Sequence, residues 1–502
     1  MELSLSDTKK YLLIDDCTEQ EYDQLKLSLT KRIEGWKFHP LVKKGLWDGF
    51  ITFMKGNKIP SGLWKEIIEI GNDFGFSVNI NGLDRLFDKE INREEFIKWC
   101  NDFFENNPKK PRDYQIETAY RILKFRRCLA ELATSAGKSL ILFIVIAYLI
   151  KVKELKKILL IVPNVSLVLQ ATDDFDEYDC DEKLKLKIQQ IYAGTKLKTN
   201  CSLIVGTYQS LVKKNQEYYN SFDVAIIDET HRAKGASITS VMDKMWHAAY
   251  RFGVSGTVPR KGTIERLSLM SQTGPLIMNV NASFLMEQEF ITKCEITVIN
   301  MRYATEEQMD AFSYLSKTAE DRKKLFVLEQ NFVIENRKRL KFITKVINKS
   351  SKNSLVLFHR IEHGKAIIEE LKKYREQDVF YVDGSISADD RDDYKKFMEQ
   401  GEGKLLVASF GTFSTGINIT NIHNIFLTES FKSEIVIRQS IGRGLRLNPT
   451  KEKLIIIDFV DDFRCKMHDG KIFQNYLYKH GIHRRTIYDD QGFPYKIVKA
   501  EF

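Results

Sequence analysis

Residues 128–151 read Cys-Leu-Ala-Glu-Leu132-Ala-Thr-Ser-Ala-Gly-Lys138-Ser-Leu-Ile-Leu-Phe-Ile-Val-Ile-Ala-Tyr-Leu-Ile150-Lys. A short apolar strand (128–132), a loop of small residues and an apolar helix (140–150) follow one another there. A bilayer span needs about 20 apolar residues, so the shorter run closed by Lys151 predicts a buried core helix. Small residues let backbone N–H groups curl round a phosphate, and the helix N-terminus adds partial positive charge. Thr134, Ser135, Ala136 and Gly137 would form that cradle. Lys138 would neutralise phosphate oxygens, and the Ser139 hydroxyl would ligate Mg²⁺. The full G-x-x-x-x-G-K-[ST] pattern is not met, because Leu132 occupies the first glycine position.

Downstream, Val224-Ala-Ile-Ile-Asp228-Glu229-Thr230-His231 places two acids at the carboxyl edge of a buried strand, where ligands bind in open α/β sheets. Asp228 would hold Mg²⁺, directly or through water, and Glu229 would orient and deprotonate an attacking water. A bland acidic helix cap is the alternative. A third element, Gln439-Ser-Ile-Gly-Arg443-Gly-Leu-Arg446, spaces two arginines three apart, which on a helix puts them on one face. Arginines of this kind stabilise the spread charge of a phosphoryl transition state; otherwise they decorate a solvated helix.

Around these motifs the chain alternates apolar runs with helical patterns. The predicted strands are 157–162, 202–205, 224–227 and 252–255, then a second series at 354–358, 379–382, 404–408, 424–427 and 453–458. Short, fully apolar strands separated by helices indicate parallel sheets covered on both faces. The chain has 502 residues, 43% hydrophobic and 29% charged, which excludes wholesale disorder. Its formal charge of +9 favours a polyanionic partner. Seven scattered cysteines with no C-x-x-C pair argue against a disulfide framework or zinc module. No secretory signal or membrane span is expected.

The ordered set of motifs over roughly 111–460 resembles superfamily 2 helicases and translocases. Arg112-Asp-Tyr114-Gln115 resembles the adenine-reading segment of that family, with Gln115 on the base and Tyr114 packed nearby. Ile161-Val-Pro163-Asn164 and Gly206-Thr207-Tyr-Gln209 resemble its first-domain strand-contacting motifs, and Ser255-Gly256-Thr257 its coupling segment. His359-Arg360, Gly384 and Ala408-Ser-Phe-Gly411-Thr412-Phe-Ser-Thr-Gly416-Ile-Asn418 resemble the second-domain motifs. Asn418 stands where many relatives carry Asp, and Ser-Gly-Thr replaces the commoner Ser-Ala-Thr. Gly45-Leu-Trp47-Asp48-Gly49, Leu285-Met286-Glu287 and the Phe-Ser-Thr-Gly-Ile segment give a closer resemblance to phage recombination and branch-migration helicases.

The resemblance implies an α/β fold: two tandem RecA-like parallel-sheet domains preceded by a small α+β N-terminal domain. The expected division is an accessory DNA-binding domain (1–106), RecA-like domain 1 (111–290), RecA-like domain 2 (291–463) and a basic extension (464–502). ATP and Mg²⁺ are the implied cofactors, with Lys138, Asp228, Glu229, Gln439, Arg443 and Arg446 catalytic. Arg112, Tyr114, Gln115 and Gly416 join the loop in holding the nucleotide. Nucleic-acid contacts are implied for Pro163, Asn164, Thr207, Gln209, His359, Arg360, Gly411 and Thr412. The implied partner is branched or forked duplex DNA, with an RNA–DNA hybrid as a further candidate, handled by a monomer in the host cytoplasm. An RNA helicase, a restriction motor subunit and a non-hydrolysing nucleic-acid clamp are the rival readings.

Two regions stay open at this level. Residues 31–60 set seven basic side chains against Glu34 and Asp48, interleaved with Trp36, Phe38, Trp47 and Phe50. Those aromatics are either bases' stacking partners at a fork or the small domain's core. The C-terminal cluster Tyr476, Tyr478, Lys479, His480, His483, Arg484 and Arg485 reads as a solvated helix or a further strand contact, and the fold of this tail is not assignable by pattern.

Overall fold

The computed structural model describes residues 1–193, 195, 201–229, 235–303, 322–375, 378–384, 388–399, 401–414, 419–466 and 470–501. They form two compact units, Met1–Val280 and Asn281–Phe502.

The first unit begins with β1 (Glu2–Leu5), β2 (Tyr11–Asp16), β3 (Thr30–Arg32), β4 (Phe50–Thr52), β5 (Lys58–Pro60) and β6 (Asn79–Asn81). Four of these make a mixed sheet in the order β5-β2-β1-β6, while β3 and β4 pair separately as an antiparallel ribbon. The core under the mixed sheet is aliphatic: Leu3, Leu12, Leu25, Leu29, Ile59 and Ile67 are each fully buried. Trp36, Phe38, Trp47 and Phe50 are not part of it; Phe38 is 71% exposed. The aromatics of the basic stretch therefore do not form this lobe's core.

The same unit continues with β7 (Arg127–Leu132), β8 (Ile158–Val162), β9 (Ile188–Ile191), β10 (Leu203–Thr207), β11 (Val224–Asp228), β12 (Tyr250–Ser255) and β13 (Leu276–Val280). They form one parallel sheet in the order β13-β7-β12-β11-β8-β10-β9. Strands β7, β8, β10 and β12 are buried along their whole length, the pattern expected of a sheet covered on both faces. The apolar run becomes the helix Lys138–Lys151, buried from Leu140 to Leu149. Among the described residues no helix is long and apolar enough to cross a membrane.

The second unit repeats the plan with β14 (Lys293–Arg302), β15 (Ser354–Phe358), β16 (Val379–Val382), β17 (Leu405–Ser409), β18 (Asn424–Leu427) and β19 (Lys453–Asp462), followed by the small β20 (Cys465–Lys466) and β21 (Ile472–Phe473). The last strand, β22 (Tyr495–Glu501), lies parallel beside β14 at the sheet edge, giving the order β16-β17-β15-β18-β19-β14-β22. The tail is thus woven into the second unit. Its helix Tyr476–Gln491 is no solvated helix, because Arg484 is fully buried and its Nη2 lies 2.7 Å from Asp458 Oδ1.

Candidate active site

Strand β11 sits at the centre of the first sheet between β8 and β12, and its apolar residues are buried up to Asp228. Glu229 follows at φ +50°, a left-handed turn that ends the strand, and its N–H donates to Asp228 Oδ1 at 2.8 Å. Burial and the adjacent Glu229 charge push the Asp228 carboxyl up to about 7, against the pull of Lys138.

Two strands over, beyond β12, β7 ends in the loop 133–137. Ser135 (φ +73°) and Gly137 (φ +72°) curl it back on itself, and the Ala136 N–H donates to Ala133 O at 3.0 Å. Gly137 caps the helix that starts at Lys138. The Lys138 ammonium lies 3.1 Å from Glu229 Oε1, joining the two motifs that are about 90 residues apart. Gly256, just past the end of β12, which runs between them, completes the cluster: a Cβ there would lie 3.2 Å from Lys138 Nζ and 3.6 Å from Thr134 Oγ1.

Arg112, Tyr114 and Gln115 meet this loop from behind. The Tyr114 hydroxyl and Gln115 Nε2 both donate to Ala136 O, at 2.9 and 3.0 Å, while Gln115 Oε1 accepts the Arg112 N–H at 2.9 Å. The segment thereby braces the phosphate loop, a role the sequence reading did not include.

On the other side of β11, Gln209 Nε2 donates to Pro163 O at 3.3 Å, and Asn164 caps the helix Val165–Tyr178 through Leu167 N–H. Thr207 is in register with Val162. Pro163, Asn164, Thr207 and Gln209 therefore share the carboxyl edge of the sheet.

In the second unit, the N–H groups of His359 and Arg360 donate to Glu429 Oε1 at 3.0 and 3.1 Å. The Glu429 carboxylate also meets His363 Nδ1 at 2.9 Å; burial opposes its charge, but these hydrogen bonds hold it below the usual carboxylate range. Behind His363 stands Arg339, which pairs with Asp461 at 2.7 Å. Glu429, His363, Arg339 and Asp461 escaped the sequence reading. One signal was present: Glu429 follows an apolar strand closely, as Asp228 ends one.

Thr412 lies in the helix Phe410–Ser414 after Gly411, its N–H donating to Ser409 Oγ at 3.3 Å. Gln439 and Arg443 belong to the helix Glu434–Gly444, whose Gly444 packs so close to Ile425 and Leu454 that a Cβ would meet them at 2.8 Å. Arg446 lies beyond the cap at Leu445, so only Arg443 is on the helix and the two arginines do not share a helix face as expected. Gly416, Asn418, Thr230 and His231 lie outside the described residues.

Three family models match the chain: "Type III restriction enzyme, res subunit" over residues 108–260, "Helicase conserved C-terminal domain" over 338–448, and "DNA helicase UvsW, N-terminal" over 8–81. The ATP-dependent DNA helicase uvsW of Enterobacteria phage T4 is 32% identical over 497 residues, 96% of each chain. The chain belongs to the UvsW helicase family. It is thus a superfamily 2 member with two tandem RecA-like domains and a small mixed-sheet lobe before them. More remote is the DNA 3'-5' translocase XPB2 of Sulfurisphaera tokodaii, 23% identical over 69% of this chain and 80% of that protein. The solved structure of the ATP-dependent Type ISP restriction-modification enzyme LlaBIII bound to DNA matches with a TM-score of 0.57 at 14% identity, over 94% of this chain and 36% of that one, and shows the common fold. The UvsW relationship spans the N-terminal lobe as well as both helicase sheets, which the translocase match does not.

Proposed function

We propose that this chain is an ATP-driven motor that moves along and remodels branched DNA: forks, four-way junctions and R-loops with their RNA–DNA hybrid. The observation that carries the reading is the meeting of Lys138 with Glu229 at the carboxyl edge of the first sheet. It puts a phosphate-binding cation and a general base within one hydrogen bond of each other.

The β- and γ-phosphates of ATP rest on the N–H groups of Thr134–Ser139, with Arg112, Tyr114 and Gln115 toward the base and Gly416 bordering the nucleotide. Lys138 exchanges Glu229 for phosphate oxygens. That exchange releases the Glu229 carboxylate to orient and deprotonate the attacking water. The donor set fits Mg²⁺, which takes few protein ligands and shares substrate oxygens and water. Ser139 and Asp228 would hold it, and Asp228, whose anion is disfavoured by burial and by Glu229, is the group a dication relieves. Held there, it would supply positive charge to offset that of the transferring phosphoryl. Gln439, Arg443 and Arg446 come from the second unit to stabilise the same charge, an effect worth ~10³–10⁵ in rate for a single arginine.

Pro163, Asn164, Thr207, Gln209, His359, Arg360, Gly411 and Thr412 grip nucleic acid through its backbone, so sequence preference is weak and salt dependence steep. Residues 1–106 serve as a DNA-binding accessory domain, 111–290 and 291–463 as the two motor domains, and 464–502 as an extension of the second. The motor works as a monomer in the host cytoplasm, as suits a relative of a phage helicase. Phosphate release is measured with no nucleic acid, forked DNA, a four-way junction, an R-loop and single-stranded RNA. Stimulation by the branched DNAs is expected. Stimulation by RNA alone favours an RNA helicase, and DNA-stimulated turnover surviving Lys138→Ala overturns the site assignment.

A further inference from the structure

At the amino edge of the first parallel sheet, opposite the phosphate loop, lies a cavity of about 280 Å³ between the N-terminal lobe and the sheet. Lys9 and Arg85 line it from the lobe, Arg126 and Arg127 from the start of β7. The guanidiniums are tied to carbonyls. Arg127 Nη1 donates to Lys9 O at 2.8 Å and Nη2 to Trp246 O at 3.0 Å, while Arg85 Nη2 donates to Asp7 O at 3.4 Å. Carbonyls fix the direction of a guanidinium without cancelling its charge. Arg126 has a carboxylate, Asp88 at 3.4 Å, but Asp88 also serves Lys153 at 3.1 Å. Among the described residues, Asp7 is the one acid lining the cavity.

The cations are held there at a cost. Arg127 is 6% exposed, and burial lowers it to about 10. Lys9 is lowered as well, first by burial and then by the repulsion of Arg127, Arg126 and Arg85. Both Lys9 (φ +57°) and Arg126 (φ +51°) have positive φ, where Gly residues would sit with less strain. A seam needing only a tight turn and a cap would be more stable with those residues. The long cations make sense where an anion completes them.

We propose that this cavity is a second phosphate-binding site, recognising a phosphate group carried by the DNA backbone or by a free nucleotide or polyphosphate through Lys9, Arg85, Arg126 and Arg127. Planar guanidiniums match phosphate oxygens two at a time, and the volume admits a pyrophosphate-sized group. Its DNA branch rests on the motor reading above; its free-anion branch does not.

The test compares wild type with Lys9→Asn/Arg85→Gln, Asn being chosen because it tolerates positive φ. Full-length protein is saturated with a non-hydrolysable ATP analogue to occupy the first site. Sodium pyrophosphate is then titrated against sodium chloride of equal ionic strength while melting is followed. Affinity for a plain DNA duplex is measured in parallel across salt concentrations. Loss of the pyrophosphate-induced rise in melting temperature assigns the free anion. A drop of about one in the slope of log affinity against log salt assigns a backbone phosphate. In phosphate-free buffer the double variant melts at or above wild type, since it sheds repulsion and strain. If neither response differs from wild type, the cations only brace the seam and the proposal is wrong. Arg85→Gln alone, at an exposed position, repeats both arms without risk to folding. Wild type that binds no DNA at any salt sinks the motor reading instead, and leaves the pyrophosphate arm to decide this one.

Discussion

The Lys138 ammonium and the Glu229 carboxylate lie 3.1 Å apart, each about one-seventh exposed. On the proposed motor reading this ion pair acts as a latch: a phosphate that captures Lys138 frees the carboxylate beside it. Both residues are then needed for turnover, but for different steps. Lys138→Ala should cut turnover by about 10²–10³-fold, the scale of one preorganised charge-stabilising donor, and weaken nucleotide binding as well. Glu229→Gln keeps a hydrogen-bond partner for Lys138 and removes the base. It should cut turnover by about 10²–10⁴-fold with little change in affinity for a fluorescent ATP analogue. Equal loss of affinity in both variants speaks against the latch.

Glycines 137 and 256 look alike in sequence and should respond oppositely to alanine. At Gly137 the backbone is left-handed and a Cβ would stand 2.3 Å from Gln115 Nε2, whose amide is already committed to Ala136 O. Strain and clash fall on the phosphate loop together, so Gly137→Ala should lose nearly all ATPase activity and raise the KM for ATP. At Gly256 the atom met, at 3.2 Å, is the end of the flexible Lys138 side chain, which can yield. Gly256→Ala should shift kcat/KM by no more than about fivefold, or roughly 1 kcal/mol. Steady-state kinetics on the two variants checks both.

Asp228 gives a pH signature. An unfolded Asp titrates near about 3.9, whereas burial and Glu229 raise the folded group to about 7. The native state therefore prefers the protonated form. The corresponding stability is fully present below the unfolded value and is lost as pH rises through the folded one. Asp228→Asn removes the ionisation. Its melting temperature should exceed that of wild type at pH 8, with the difference shrinking toward pH 5, while ATPase activity falls at both. A variant destabilised at pH 8 would show that Asp228 supports the fold as an anion.

The strands around these groups were legible because each is a short apolar run closed by polar residues: β15, β16 and β18 fall on the predicted residues, and β11 differs only by including Asp228. Arg446 falls outside the helix because the helix stops at Gly444, ahead of Asn448-Pro449, a local stop signal that the three-residue spacing of the arginines does not carry. The Glu429–His363–Arg339–Asp461 network was invisible for a related reason. Its members come from two helices, one strand and the loop after β18, and they meet only in the folded second unit. β22 gave little apolar signal beyond Ile497-Val498 between two lysines, since it is an edge strand with mostly exposed side chains. For Gln115 the segment was recognised, but not its bond to the Ala136 carbonyl.

The basic aromatic ribbon supplies the last prediction. Arg32 lies over both Trp36 (3.9 Å) and Phe50 (4.2 Å), which stiffens the ribbon's base. Beyond it, Phe38 and Leu46 are each 71% exposed, and the Lys43 ammonium stands 5.9 Å from the Phe38 ring. Exposed apolar side chains with a lysine beside the aromatic ring suit a surface that meets unstacked bases beside their phosphates. Phe38→Ala with Leu46→Ala removes no buried contact of the aliphatic core, so melting should be unchanged. A lost base–aromatic stack is worth about 1–3 kcal/mol, so affinity for forked DNA should fall roughly 5–100-fold. Affinity for a plain duplex, which offers no splayed base, should hold. Fluorescence anisotropy on the two DNAs separates the outcomes. An equal fall on both, or a lowered melting temperature, would return these side chains to a structural role.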